Sequence, residues 1–151
     1  MQSVLSVIGT ILLGGAGWLA TEFFGKQVIR FYDLRRKVHE ELIYTANVGG
    51  NIGDDPEWQE RLEKAQRDLR RLAAQLHAVA SSATPFTKYY LERFKYGPEQ
   101  AGDSLIGYSN TLTAPDYSRA GHRYGAEKAL RLPYALSAEL IEMMRKNALH
   151  R

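Results

Sequence analysis

The stretch MQSVLSVIGTILLGGAGWLATEFFGKQVIRFYDLRRK carries no charge from Ser3 to Thr21, then five Lys and Arg residues between positions 26 and 37. No other feature limits this chain so strongly. As a helix rising about 1.5 Å per residue, roughly 20 apolar residues match the ~30 Å of a hydrocarbon core, so residues 1–25 are expected to form a transmembrane anchor. A secretory signal peptide would call for a basic stretch ahead of the apolar run, a shorter run and a small-residue cleavage site, and no Lys or Arg precedes this one. No lipidation signal offers another anchor. The remaining rival is a buried helix of a soluble protein, which GWLATEFF also resembles.

Basic residues flanking a span stay on the cytoplasmic side, so Lys26, Arg30, Arg35, Arg36 and Lys37 place the N-terminus outside and the following chain in the cytoplasm. These five are also the candidate contacts for anionic lipid headgroups, which attract each juxtamembrane cation by about 1 kcal/mol. Trp18, Phe23 and Phe24 fit an aromatic belt at that interface, and Glu22 precedes Lys26 by four residues, the favourable order for a helical ion pair. Within the run, Ser3, Ser6, Thr10, Gly14, Gly17, Thr21 and Gly25 recur every three or four positions. A stripe of small residues lets helix backbones approach closely in lipid, which makes Ser6, Thr10, Gly14, Gly17 and Thr21 the candidate face for contact with another membrane helix, including that of a second copy.

Residues 26–151 are expected to form a cytoplasmic α-helical domain, giving an all-α chain with one N-terminal transmembrane helix continuing into an antiparallel helical hairpin. Its arms are residues 26–47 and 56–82. Val28, Phe31, Leu34, Val38 and Leu42 keep one apolar face on the first arm, and Gly49, Gly50 and Gly53 mark the turn. Asp54 or Asp55 can cap the second arm, with Pro56 near its first position. On that arm Trp58, Leu62, Ala65, Leu69, Leu72, Leu76 and Val79 alternate spacings of four and three, a coiled-coil-like seam, while Glu60 with Lys64 and Glu63 with Arg67 occupy the solvent side. Ala73 and Ala80 widen the apolar stripe and ask for further packing partners near the membrane.

Residues 85–151 should supply those partners as shorter helices and a loop. Thr84-Pro85 starts PFTKYYLERFKYG, whose Phe86, Tyr90 and Phe94 share a face. Packing on the core with tyrosine tips outward is the expected use of that face, a lipid interface the alternative. Gly97-Pro98 starts another helix through Leu105, Ile106 and Leu112. TAPDYSRAGHRYG is dense in turn residues and reads as a surface loop, followed by a short helix around Glu127 to Leu132 and a longer one through Leu136, Leu140, Ile141 and Met144.

The formal charge of +3 is local, because residues 26–37 hold the five cations against Asp33 alone. With no basic stripe elsewhere, nucleic acid is not an expected partner. The chain has no Cys, which excludes disulfides, thiolate nucleophiles and Cys-ligated zinc and agrees with a reducing compartment. His39-Glu40-Glu41 lacks the second His of a zinc-protease helix, and His77, His122 and His150 are scattered. GGNIGDD lacks the Lys-Ser/Thr of a phosphate loop, and LIGYSNTL lacks the flanking glycines of a nucleophile elbow. No catalytic residue, metal ligand or cofactor site is therefore assigned. Tyr108, Ser109, Asn110, His122, Arg123 and Tyr124 make up one speculative polar patch.

These readings point to a single-pass scaffold or accessory subunit acting through a membrane or cytoplasmic protein partner. A membrane-active oligomer that perturbs the bilayer is the alternative, and a small membrane-bound enzyme ranks third.

Overall fold

The computed structural model describes residues 9, 13–19, 21–46, 56–114, 116–133 and 146. The structure is all-helical, with no strand among the described residues. Residues 13–19 are helical, Thr21–Gly25 form one π-helical turn, and α1 (Lys26–Thr45) follows directly, with Gly25 itself at helical φ −58° and ψ −48°. Four further helices follow: α2 (Pro56–Ser82), α3 (Pro85–Arg93), α4 (Pro98–Asn110) and α5 (Asp116–Ala129). The helix entering the domain thus continues without a break from Thr21 to Thr45. Among the described residues no helix is long and apolar enough to cross a membrane. Residues 1–8, 10–12 and 20, which complete the uncharged run, lie outside that description, as do Asn47, the glycine turn and Asp54 and Asp55.

The two long arms are antiparallel. Gln27, at the start of α1, bonds to Ser82 and Thr84 at the end of α2, while Glu41, near the other end of α1, feels the charges of Asp68 and Lys64. Both arms bury the faces their spacing dictates: Phe31, Leu34, Val38 and Leu42 from α1 meet Ala65, Leu69, Ala73, Leu76 and Val79 from α2. The seam departs from the coiled-coil expectation, because Leu62 and Leu72 are only partly buried and Ala73 is fully so. The physical reason is that α2 packs against α4 as well as α1, which turns its buried face toward the alanine side.

Small residues decide how closely the later helices approach. Gly102 lets α4 lie against α2, since a Cβ there would sit 2.6 Å from His77 Nε2 and 3.2 Å from the Ala73 carbonyl. Gly107 makes room for the His122 ring, and Gly125 for Ser104, whose Oγ would be 2.7 Å from an added Cβ. TAPDYSRAGHRYG is consequently not a loop: from Asp116 onward it is most of α5. Two of its turn-like residues are small for other reasons, with Gly125 needed for contact and Ala120 buried. The short helix expected around Glu127 to Leu132 is the end of this longer one, and the expected helix through Leu136 to Met144 lies outside the described residues.

Helix ends follow local chemistry. Thr84 caps α3 from an extended conformation, its hydroxyl accepting from Thr87 N at 3.3 Å, with Pro85 in the first turn. Helices α3 and α5 both end in a Schellman arrangement, with Tyr96 N donating to Leu91 O and Leu132 N to Glu127 O, each at 2.8 Å. The left-handed positions are held by Lys95 (φ 57°) and Arg131 (φ 52°) rather than glycine. Arg131 offsets part of that conformational cost, since its guanidinium donates to Phe94 O at 3.0 Å and joins the two helix ends.

Leu69 is fully buried on the inner face of α2. Leu69→Asp is expected to unfold the helical domain, because an unpaired buried charge costs several kcal/mol, comparable with the ~5–15 kcal/mol stability of a small domain. Glu63→Ala, which removes an exposed pair with Arg67, should shift the melting temperature by no more than a degree or two. Circular dichroism melts in mild detergent read both, and equal melting of Leu69→Asp and parent would remove the seam from the core.

Candidate functional site

Among the described residues, most large apolar side chains on the surface gather at one end of the hairpin. Leu13 is 77% exposed, Trp18 63% and Phe23 58%, and beside them on α3 Phe86 is 77% and Tyr89 67% exposed. The two elements flank an apolar groove of about 710 Å³, with Leu19, Phe23 and Phe24 on one wall and Phe86, Tyr89 and Phe94 on the other. Helix α3 is held there because Thr87 and Leu91 are its buried residues, which turns Phe86 and Tyr89 outward. Of the face expected on the core, Tyr90 does pack on it, whereas Phe86 and Phe94 do not; of the neighbouring tyrosines, Tyr96 packs on the core and Tyr89 is exposed. That corrects the expected use of this face: the short helix has too few positions to bury both its Thr87–Leu91 side and its Phe86–Tyr89 side.

An amide fixes α3 against α1. Gln27 Nε2 donates to Ser82 O at 3.3 Å, and Gln27 Oε1 accepts from Thr84 N at 3.0 Å and Thr87 Oγ1 at 2.8 Å. Aromatic contacts extend this clamp: Phe24 meets Tyr90 edge-on at 5.7 Å, and Tyr90 meets Phe94 at 4.7 Å. The Tyr32 hydroxyl lies 2.9 Å from that of Tyr90 and 3.3 Å from that of Tyr96. The bond to Tyr32, together with burial, pushes the Tyr96 phenol above its ordinary value.

The structure sorts the five cations of residues 26–37. Lys26 pairs with Glu22 as the spacing expects. Arg30 and Lys37 are exposed, and Arg36 lies between Asp33 (3.9 Å) and Glu40 (3.5 Å). Arg35 instead turns inward: its Nε donates to Leu130 O at 2.8 Å and its Nη2 to Arg131 O at 2.7 Å. It satisfies carbonyls that the end of α5 leaves open, and thereby holds α5 to α1. In the small-residue stripe, Gly14 and Gly17 are exposed with open space where a Cβ would stand, and the Thr21 hydroxyl bonds back to Gly17 O at 2.9 Å. Ser6 and Thr10 lie outside the described residues.

The six residues of the speculative polar patch are not brought together. Tyr108 is buried with its hydroxyl 3.5 Å from Thr45, while Ser109 and Asn110 receive the Arg70 guanidinium of α2 at 3.4 and 2.9 Å. His122 packs over Gly107, Arg123 pairs with buried Glu127 at 2.9 Å, and Tyr124 lies 6.0 Å from the Lys128 ammonium. Each makes local bonds or contacts that tie one helix to another or to itself. Trp58 and Leu62 sit half-buried at the far end of the hairpin, Leu69, Leu76 and Val79 are buried, and Leu72 is half-buried.

Midway along α2, Lys37, Glu40, Glu41, Asp68 and Arg71 line a polar groove of about 290 Å³. Glu41 Oε1 is buried there without a hydrogen-bond partner. Burial first, and the neighbouring Asp68 second, push the Glu41 carboxyl above its ordinary value, against a smaller opposite pull from Lys64. Among the described residues no group of three or more His, Asp or Glu side chains is placed to hold a metal ion. Compared with protein-family models, with curated proteins and with solved structures, the chain matches none.

Because folding raises the Glu41 pKa, the folded state binds a proton more readily than the unfolded one, so stability falls as pH rises from the ordinary carboxyl value through the folded pKa, above which the loss is complete. Glu41→Gln is expected to raise the melting temperature at pH 7. The advantage should vanish as pH falls below the ordinary carboxyl value of 4.5. An advantage that is absent at pH 7, or grows on acidification, would contradict this environment.

Proposed function

We propose that the protein is a single-pass membrane-anchored helical scaffold or accessory subunit, its N-terminal segment in the bilayer and its helical domain on the cytoplasmic side. The observation that carries this reading is the exposed helix of residues 13–19, on which Leu13 and Trp18 stay mostly uncovered and Leu19 about half so within the described chain. Monomers in water rarely leave so contiguous an apolar surface uncovered, and this one belongs to the uncharged run from Ser3 to Thr21. Lys26 and Arg30 follow at the point where such a run meets headgroups and favour retention of the domain on the cytoplasmic face.

On this reading α1 carries the apolar segment straight into the domain, and the hairpin stands away from the bilayer with its Glu41 end outermost. Ile43 and Tyr44, 55% and 56% exposed near that end, offer apolar contact to a protein partner. A scaffolding role is also consistent with polar clusters that serve helix-to-helix bonding. No catalytic step is assigned.

Two charges in the run test the anchor without touching the domain core. Leu13→Lys with Gly17→Lys costs about 2.5–3.5 kcal/mol per lysine if those positions lie near the centre of a bilayer. The double variant should move from the membrane pellet to the soluble fraction while keeping the helical content of the parent. A Glu60→Cys variant of the otherwise Cys-free chain should react with an impermeant maleimide only after the cytoplasmic face is opened. Unchanged pelleting of the lysine variant, or labelling of position 60 from outside, would overturn the anchor or its orientation respectively.

A further inference from the structure

We propose that the outer face of α3 is a second membrane contact, in which Phe86, Tyr89 and Phe94 enter the same anionic lipid leaflet as the N-terminal segment and lipid chains fill the groove between them. The inference rests on the anchor reading and adds to it a surface from a separate part of the chain.

The groove joins α3 to Leu19, Phe23 and Phe24, and its lining includes Ala16. Ala16 and Leu19 belong to the uncharged run, so a bilayer that surrounds them also reaches the α3 side chains across the groove. The position of α3 is held by the Gln27 amide and the Phe24–Tyr90 ring contact, so it cannot move away from that level without breaking them.

Chemistry agrees with the geometry. Phe86 supplies a purely apolar side chain and Tyr89 a ring with a polar tip, the combination that suits the boundary of hydrocarbon and water. Arg93 stands in the groove lining, with Lys88 and Lys95 exposed on the same short segment.

Charge distribution selects an anionic surface. Residues 21–36 and 77–97, which include this end of the hairpin, contain seven Lys and Arg residues against Glu22, Asp33 and Glu92, a net +4. The whole chain is +3, so everything else sums to −1. A basic pole surrounding the apolar face is complementary to acidic headgroups, each cation near the surface adding about 1 kcal/mol. A second copy is the less suitable occupant, because a self-complementary contact across this face would bring two basic poles and two Arg93 guanidinium groups together.

The absence of Cys allows single nitroxide labels to test this on the full chain reconstituted in phosphatidylcholine–phosphatidylglycerol vesicles. Labels on Phe86→Cys, Tyr89→Cys, Trp18→Cys and Glu60→Cys, all at exposed positions away from the core, would be compared for collision with oxygen and with a water-soluble nickel chelate. The expected result is oxygen-dominated relaxation at 86, 89 and 18 and chelate-dominated relaxation at 60. Chelate dominance at 86 and 89 with lipid exposure at 18 would overturn this inference and leave the anchor standing. Chelate dominance at 18 as well would overturn both. Shielding from both reagents at 86 and 89, with dipolar broadening between chains, would overturn it in favour of a second copy.

Discussion

The side-chain amide of Gln27 fixes the geometry on which the rest of the account depends. Its two ends meet three groups at the junction of α2 and α3, so the first turn of α1 is bonded to the open end of the hairpin, where α2 gives way to α3. Partly buried amides of this kind are costly to leave unpaired, which makes the arrangement specific rather than merely cohesive. From it follow the antiparallel alignment of the long helices and the placement of α3 beside Phe24. That bonding adds to the burial of Thr87 and Leu91 in holding α3, a nine-residue helix of a length that is marginal in water when isolated.

The same logic closes the other side of the molecule. Arg35 reaches the carbonyls at the end of α5, and Arg131 reaches the carbonyl at the end of α3, so two cations satisfy helix termini that water would otherwise serve. Gly97 N donates to Ala129 O at 2.9 Å and completes the junction. Core burial supplies the driving force for folding, while these polar bonds choose which helix ends meet. The result separates the surface into a basic end with uncovered aromatics and a far end with mixed charges.

The parts of this architecture legible in the sequence are those governed by local chemistry. Thr84-Pro85 and Gly97-Pro98 start helices where their backbone preferences demand, and the three-four spacing of Phe31, Leu34, Val38 and Leu42 names the buried side of α1. Long-range uses of the same residue types were not legible. Gly125 in AGHRYG looks like a turn residue but exists for the approach of Ser104, and Arg35 looks like a headgroup ligand but caps carbonyls nearly a hundred positions away. Tyr108 and His122 are close enough in sequence to suggest a patch, yet one faces Thr45 and the other covers Gly107. Gln27 carries no advance signal, because a polar residue in a first helical turn has no preferred partner until the chain returns. The outward turn of Phe86 and Tyr89 depended on which side of α3 would be buried, and that was decided by Thr87 meeting Gln27.

The central claim is that the open end of the hairpin, where Gln27 meets Ser82 and Thr84, faces the bilayer while the Glu60 end stands off it. Along α2 the 22 steps from Glu60 to Ser82 correspond to about 33 Å, well within the range of energy transfer. A fluorescent donor on a single cysteine at position 88 or 60, with acceptor-labelled headgroups in the reconstituted membrane, measures the two heights directly. The account predicts strong transfer from position 88 and weak transfer from position 60. Equal transfer from both, or stronger transfer from position 60, would contradict it.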